Sequence, residues 1–301
     1  MERLEFQALG TTVKVEANRP QWAANEVLRL EQLLTRFGES PLTRLNREGS
    51  LLNPPSELVE ALEHSLDVAE LTQGLVTPTV LGALKVSGYD RSIEQVRASP
   101  RAVSTGRVTV PDWREVRISS ERITLSLSTQ LDLGGTAKTW IIEHIAKMLE
   151  GDFLIDAGGD IALRQSIPFA LEIEHPFGRE ALHLELPAGR WGVATSSTLK
   201  RAWRGGHHLI DPRSGQPLCS RFVQVSAVTK LATEAEVLTK LALLDETLLE
   251  QLAGDAFVFA FDSQGESWQW NGVHFEPDKL EVSESGLDLL EPKSLGHLEA
   301  A

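Results

Sequence analysis

The chain has 301 residues and a formal net charge of -14, with 42% apolar and 24% charged residues. Such a chain buries a core without disulfide or metal staples, and its composition excludes disorder and fibrous repeats for the bulk of the molecule. Its acidic balance excludes general nucleic-acid binding and disfavours anionic membrane surfaces, so an anionic ligand has to be met by a local basic island. The start, Met1-Glu2-Arg3-Leu4-Glu5-Phe6, lacks a basic and then apolar leader pattern, and no apolar run approaches about 18 residues. A cytoplasmic protein without membrane insertion is expected.

Residues 4–16 alternate as strands around a break at Gly10-Thr11-Thr12. Residues 22–36 read as an amphipathic helix with Trp22, Val27, Leu30, Leu33 and Leu34 on one side. After Asn53-Pro54-Pro55, Ser56 is expected to cap a second helix that carries Leu58, Leu62, Leu66 and Ala69 and stops at Gly74. Residues 90–110 are polar, and residues 113–132 suggest short strands turning at Ser119-Ser120-Glu121. Leu133-Gly134-Gly135 opens a helix to about Glu150, and a strand over 153–157 ends at Gly158-Gly159. Further strands are expected over 168–195, a loop over 200–217 and a strand over 222–229. Helices over 233–244 and 246–253, then a hairpin over 256–261 and 268–275, complete a domain of residues 1–276. The acidic stretch 277–301 reads as a loosely ordered tail. Strands and helices mix without strict βαβ alternation, which gives an α+β fold with mixed, largely antiparallel sheets packed with helices.

Four stretches hold possible chemistry. In Asp132-Leu133-Gly134-Gly135-Thr136-Ala137-Lys138 a strand ends, glycines turn the chain and a helix starts. Free N–H groups, the helix dipole and Lys138 would favour an anion there, but a plain glycine turn is the simpler reading. Lys200 to Arg213 holds four fixed cations, His207 and His208 against one acid, and is the basic island the net charge calls for. Trp203 could stack on a planar group and His208 could serve as acid or base; a solvated basic loop is an equal reading. Glu236 and Lys240, four apart on a helix, read as an ordinary ion pair on a face away from Val237, Leu238, Leu241 and Leu244. Asp156-Ala157-Gly158-Gly159-Asp160 reads as a simple turn after a strand. The one cysteine, Cys219, reads as a small, partly buried filler.

Taken in order, these segments resemble the ApbE family, the FAD:protein FMN transferases, over roughly residues 5–262. Gly10-Thr11-Thr12 is similar to the family's opening Gly-Thr. Ser40 with Leu42-Thr43-Arg44-Leu45-Asn46 is similar to its Ser-x-Leu-x-x-x-Asn segment. Gly74 with Pro78-Thr79 and Gly88-Tyr89-Asp90 resembles its "Gly…Asp-Pro-Thr…Gly" region, with Thr77 in place of Asp. Asp132 to Lys138 resembles Asp-Leu-Gly-Gly-Ile-Ala-Lys-Gly, with Thr139 in place of the last Gly. Asp156 to Asp160 resembles its Gly-Gly-Asp turn, and His208-Leu209-Ile210-Asp211-Pro212-Arg213-Ser214-Gly215 its His-Ile-Ile-Asp-Pro-x-Thr-Gly motif.

The resemblance implies that FAD is the substrate and that FMN passes to a Thr or Ser hydroxyl of a partner flavoprotein, releasing AMP. It implies catalytic roles for His208, Lys138 and Asp211. It places FAD on Gly10, Thr11, Gly88, Tyr89, Asp132, Gly134, Gly135, Leu209 and Ile210. It also implies Mg²⁺ on the Ala137 carbonyl and on an Asp and a Thr four apart on a late helix. Here Glu236 stands at that Asp and Lys240 at that Thr; the other register offers Thr239 but puts Ala235 at the Asp. A charged lysine has no lone pair for a metal, so Mg²⁺ is expected to bind weakly at the usual position. The alternatives on the same scaffold are an FAD pyrophosphatase and a flavin-binding protein without turnover.

Overall fold

The computed structural model describes residues 1–99, 106–277 and 288–289. The tail expected from residue 277 thus lies outside the described residues, apart from Pro277 and the pair 288–289. The chain opens as a hairpin of β1 (Glu2–Ala8) and β2 (Thr11–Ala17). Leu9 and Gly10 turn it with φ of 55° and 70°, the left-handed pair that suits a two-residue hairpin. Helix α1 (Pro20–Leu34) starts on a proline and buries Ala23, Val27, Leu30 and Leu34 on one face. Helix α2 (Pro41–Glu48), not expected from the pattern, is made by local chemistry. Ser40 and Thr43 bond each other's backbone N–H groups, Pro41 follows, and Gly49 closes the end.

After β3 (Ser50–Leu52), helix α3 (Ser56–Leu71) corrects one expectation: Pro55 holds the cap position and Ser56 is the first helical residue. Pro55 lies in extended backbone, with ψ of 139°, and lends no side-chain acceptor; the Ser56 hydroxyl donates to Glu57 at 3.0 Å instead. The stretch beyond residue 80 forms the short α4 (Leu81–Val86) and α5 (Ile93–Ala98), then β4 (Arg117–Ile118) and β5 (Arg122–Thr124). Helix α6 is shorter than expected, Ala137–Ala146. Strands β6 (Phe153–Ala157), β7 (Ile161–Gln165), β8 (Phe169–Ile173), β9 (Leu182–Leu186) and β10 (Gly189–Ser197) follow. The expected loop 200–217 carries two small ribbons, β11 (Ala202–Trp203) with β12 (Gly206–His207) and β13 (Ile210–Asp211) with β14 (Gln216–Pro217). The chain ends its described course with β15 (Phe222–Thr229), α7 (Ala232–Leu244), α8 (Glu246–Leu252), β16 (Phe257–Asp262), β17 (Ser267–Trp270), β18 (Phe275–Pro277) and β19 (Asp288–Leu289).

One nine-stranded sheet, ordered β1-β2-β6-β7-β10-β15-β16-β17-β18, runs through the molecule, and its neighbours are all antiparallel. Alternation along its strands splits the core. Ala194, Val225 and Ala227 face α7, whereas Val193, Val228, Phe259 and Phe261 face Leu171, Ile173, Leu184 and Leu186 of β8 and β9. Burying a ring such as Phe259 contributes roughly 1.5–3 kcal/mol. A third cluster joins α1, α2, α3 and α6 to β2 and β6. Helices α6 and α7 are pinned together by the buried Glu143, which accepts from Ala232 N at 2.7 Å and pairs with Arg190. That pin sets the start of α7 against α6, and the site lies where these two helices meet the hairpin turn. The α+β expectation holds.

Candidate active site

A cleft of about 360 Å³ opens between the start of α6, the β1–β2 turn, the segment around Tyr89, the loop after β10 and the inner face of α7. It brings together Gly10, Thr11, Tyr89, Asp132, Gly134, Gly135, Lys138, His208, Leu209, Ile210, Glu236 and Lys240. These residues lie up to 230 positions apart, from Gly10 to Lys240, and the sheet order is what gathers them. Thr11 packs against Gly158, whose φ of 70° and lack of a Cβ let the two strand ends approach.

Gly88, Ala137 and Asp211 are not on the cleft wall. Gly88 ends α4 with its N–H on Lys85 O at 3.0 Å, and so turns Tyr89 inward. Ala137 is the first residue of α6. Asp211 is spent on its own turn: it accepts from Arg213 N at 2.9 Å and pairs with the Arg213 guanidinium at 2.9 Å. Trp203 does not offer a free face either. It is buried, stacks on Tyr89 with ring centroids 5.4 Å apart, and donates to Ser87 O at 3.1 Å. Cys219 is exposed rather than a partly buried filler, because it follows the ribbon end at Leu218.

Three ion pairs form the floor. Asp132 accepts from Gly134 N at 2.8 Å, which shapes the glycine turn, and pairs with Arg36. Arg36 lies over the rings of Phe37 and Tyr89 at 4.2 and 4.5 Å, and its Nη2 is buried without a hydrogen-bond partner. Lys138 reaches Asp160 at 2.6 Å and donates to Ala157 O at 3.1 Å; Asp160 also accepts from Thr195 N at 3.0 Å. The Gly-Gly-Asp turn is therefore more than a turn: it carries the partner of Lys138. Glu236 meets Lys240 at 2.9 Å. This pair is not an exposed helix pair, since the two side chains are only 9% and 11% exposed. Helix α7 is packed between sheet and α6, so even its polar stripe is buried. Burial pushes the Glu236 carboxyl up from its ordinary value, and Lys240 opposes that push.

The two adjacent histidines do different jobs. Leu209 N donates to His207 Nδ1 at 3.3 Å, which leaves Nε2 to donate to Leu218 O at 3.1 Å; His207 ties the ribbons together. His208 faces the cleft, and its Nδ1 is buried without a partner. Burial, then the neighbouring Arg201, His207 and Lys240, hold His208 well below its usual value and keep it neutral at pH 7. Arg201 donates to Leu9 O at 3.4 Å and has no carboxylate partner among the described residues.

The donor set for Mg²⁺ does not fit. Both Glu236 oxygens are engaged, one by Lys240 and the other by the Thr139 hydroxyl. Thr239 is no substitute, because its hydroxyl bonds Ser196 at 2.8 Å in the core. Among the described residues no three His, Cys, Asp or Glu groups converge as a metal site. Of the residues at the cleft, Arg36 and Phe37 are not marked as site residues by the sequence: Arg36 is expected as the last residue of the amphipathic helix, which ends at Leu34 instead, and neither residue matches a spacing rule.

The ApbE family's sequence model matches residues 9–254. The FAD:protein FMN transferase of Vibrio cholerae serotype O1 is 23% identical over 267 residues, which cover 77% of this chain and 78% of the relative. The FAD:protein FMN transferase of Treponema pallidum is 26% identical over 274 residues, covering 76% and 75%. The ApbE protein of Thermotoga maritima superposes with a TM-score of 0.72 at 22% identity, covering 90% of this chain and 97% of that one. The flavin transferase ApbE of Vibrio cholerae superposes with a TM-score of 0.72 at 17% identity over the same shares of the two chains. With its fold, its ordered motifs and its cleft accounted for, the chain belongs to the ApbE family.

Proposed function

We propose that this protein is an FAD:protein FMN transferase whose cleft binds FAD with the diphosphate over Gly134 and Gly135. The observation that carries this reading is the unpartnered, neutral His208 on the same wall as a glycine turn and a helix start. The dipole of α6 and the N–H groups that follow Ala137, whose own N–H is spent on Leu133 O at 2.7 Å, favour a diphosphate at that point. Lys138 and Arg201 add positive charge where negative charge develops on the phosphate oxygens during phosphoryl transfer. The acceptor is a Thr or Ser hydroxyl on a flavoprotein. His208 takes its proton, the hydroxyl oxygen bonds the phosphorus of the FMN half, and the bond to the bridging oxygen breaks. AMP leaves with that electron pair. Asp132, held by Arg36, keeps the turn in shape; Asp211 keeps the His208 segment in shape from outside the cleft. No helix among the described residues is long and apolar enough to cross a membrane.

The test is incubation of the protein with FAD and a flavoprotein carrying an acceptor Thr, followed by denaturing gel fluorescence and AMP quantification. Covalent flavin on the acceptor with equimolar AMP is the expected result. AMP and FMN without covalent flavin would move the reading to a pyrophosphatase. FAD bound with no AMP would leave a flavin holder.

A further inference from the structure

We infer that Lys240, clamped by Glu236, is a built-in cation for the FAD diphosphate, so that the cleft binds FAD without a divalent ion. The inference rests on the FAD reading above. Three observations carry it.

The first is position. The Lys240 side chain crosses the glycine turn, with its Cε 3.6 Å from where a Cβ on Gly135 would stand. The ammonium therefore sits beside the backbone that would cradle a diphosphate.

The second is that the usual donors are closed. Glu236 gives one oxygen to Lys240 and the other to Thr139, and Asp160 is held by Lys138. A divalent ion would have to break the buried 2.9 Å pair of Lys240 with Glu236 to gain one carboxylate, and it would leave the ammonium nearby without a partner. In the register that sets Glu236 at the family's Asp and Lys240 at its Thr, Thr139, Glu236 and Lys240 all depart from the family pattern, and Thr139 and Lys240 each bond Glu236. A single lost ligand would leave a gap, whereas these three side chains form a closed unit.

The third is charge. The cleft wall carries Arg36, Arg97, Lys138, Lys200, Arg201 and Lys240 against Glu94, Asp132, Asp160 and Glu236, six cations against four carboxylates. The wall thus carries an excess of positive side chains in a protein of net charge -14, although Lys200 also faces Glu174 at 3.7 Å, and that excess suits a diphosphate diester, which is a dianion.

The experiment is calorimetric titration of FAD into the purified protein, once in EDTA and once in millimolar Mg²⁺. A titration of the FAD-free protein with Mn²⁺, read by electron paramagnetic resonance, accompanies it. Equal FAD affinity within about twofold in the two buffers, and no stoichiometric Mn²⁺ site, are expected. Lys240→Met alone leaves a buried Glu236 unpaired and endangers folding, so the double variant Glu236→Gln/Lys240→Met is the informative one. It keeps local neutrality and shape, and is expected to lose about tenfold in FAD affinity with an unchanged melting temperature. A tenfold or larger gain in wild-type affinity with Mg²⁺, a one-to-one Mn²⁺ site, or a double variant that binds FAD as tightly as wild type would each overturn the inference. FAD binding in neither buffer would overturn the FAD reading itself, and the inference with it.

Discussion

The basic segment 200–215 and the cleft floor both supply cations, and they are built in opposite ways. The segment concentrates charge along one stretch of chain, and its side chains then disperse. Arg201 enters the cleft, Arg213 stays with Asp211, and of two neighbouring histidines one braces ribbons while the other faces the ligand space. The floor does the reverse. Arg36 meets Asp132 and Lys138 meets Asp160 from separate stretches of chain, and the third pair, Glu236 with Lys240, is bound from α6 by the Thr139 hydroxyl. Adjacency in sequence thus marks a region, and only packing assigns the work within it.

The histidines test that difference with the largest expected effect. His208→Gln should lower the rate of flavin transfer by about 10²–10⁴-fold, the range for losing a general base, with little change in melting temperature. A rate within tenfold of wild type would remove His208 from the proton transfer. On the floor the effect should fall on folding. Arg36→Leu strands the Asp132 carboxylate, only 10% exposed, and should cost about 3–5 kcal/mol in urea unfolding. An unfolding midpoint near wild type would mean that Asp132 is solvated on its own.

The pH dependence of stability separates the two regions again. Burial holds His208 below its ordinary value of about 6.5, so the unfolded chain binds a proton there that the folded chain refuses. Stability is therefore complete above about pH 6.5 and falls as pH drops through that value towards the folded one, by at most about 1.4 kcal/mol per pH unit for one proton. His64 and His207 are lowered by burial as well and steepen the same limb. His208→Gln should remove one proton's share of the slope between pH 6.5 and 5, measured by urea titrations at several pH values. An unchanged slope would mean that His208 is protonated in the folded state. His207→Ala should leave the transfer rate near wild type and cost about 1 kcal/mol, because it frees Leu218 O and Leu209 N.

Much of this was legible in the sequence, for identifiable reasons. The helix α1, the strand β15 and the α+β class follow from periodicity, and the glycine turn before α6 from local composition. Helix α2 escaped because its signal is a capping box and not an apolar stripe. The 200–217 ribbons escaped because each strand is two residues long, set by cross-strand contacts. The burial of Glu236 and Lys240 escaped because an Glu-to-Lys spacing of four looks the same on an exposed helix as on one packed between a sheet and α6. Arg36 escaped altogether: the reason for its charge is Asp132, far along the chain.

The smallest expected effect is also the one that separates motif from mechanism. The Asp-Pro-Arg-Ser-Gly stretch after His208 reads as site chemistry by resemblance, yet Asp211 points into its own turn. Its carbonyl accepts from Ser214 N and Gly215 N at 3.2 and 2.8 Å, and Val108 N donates to Ser214 O at 3.1 Å. Gly215 has no room for a Cβ against the Val108 backbone, and its φ is 66°, so the turn sits directly on the 106–110 segment, where Arg107 also donates to Arg213 O at 3.1 Å. Asp211→Asn keeps the side-chain acceptor for Arg213 N and loses only a partly exposed ion pair, for which about 0–1 kcal/mol is typical. Transfer rate and FAD affinity should both stay within about threefold of wild type. A rate collapse with FAD binding intact would show that Asp211 reaches the reacting groups, and the segment would then carry two functional side chains rather than one with its brace.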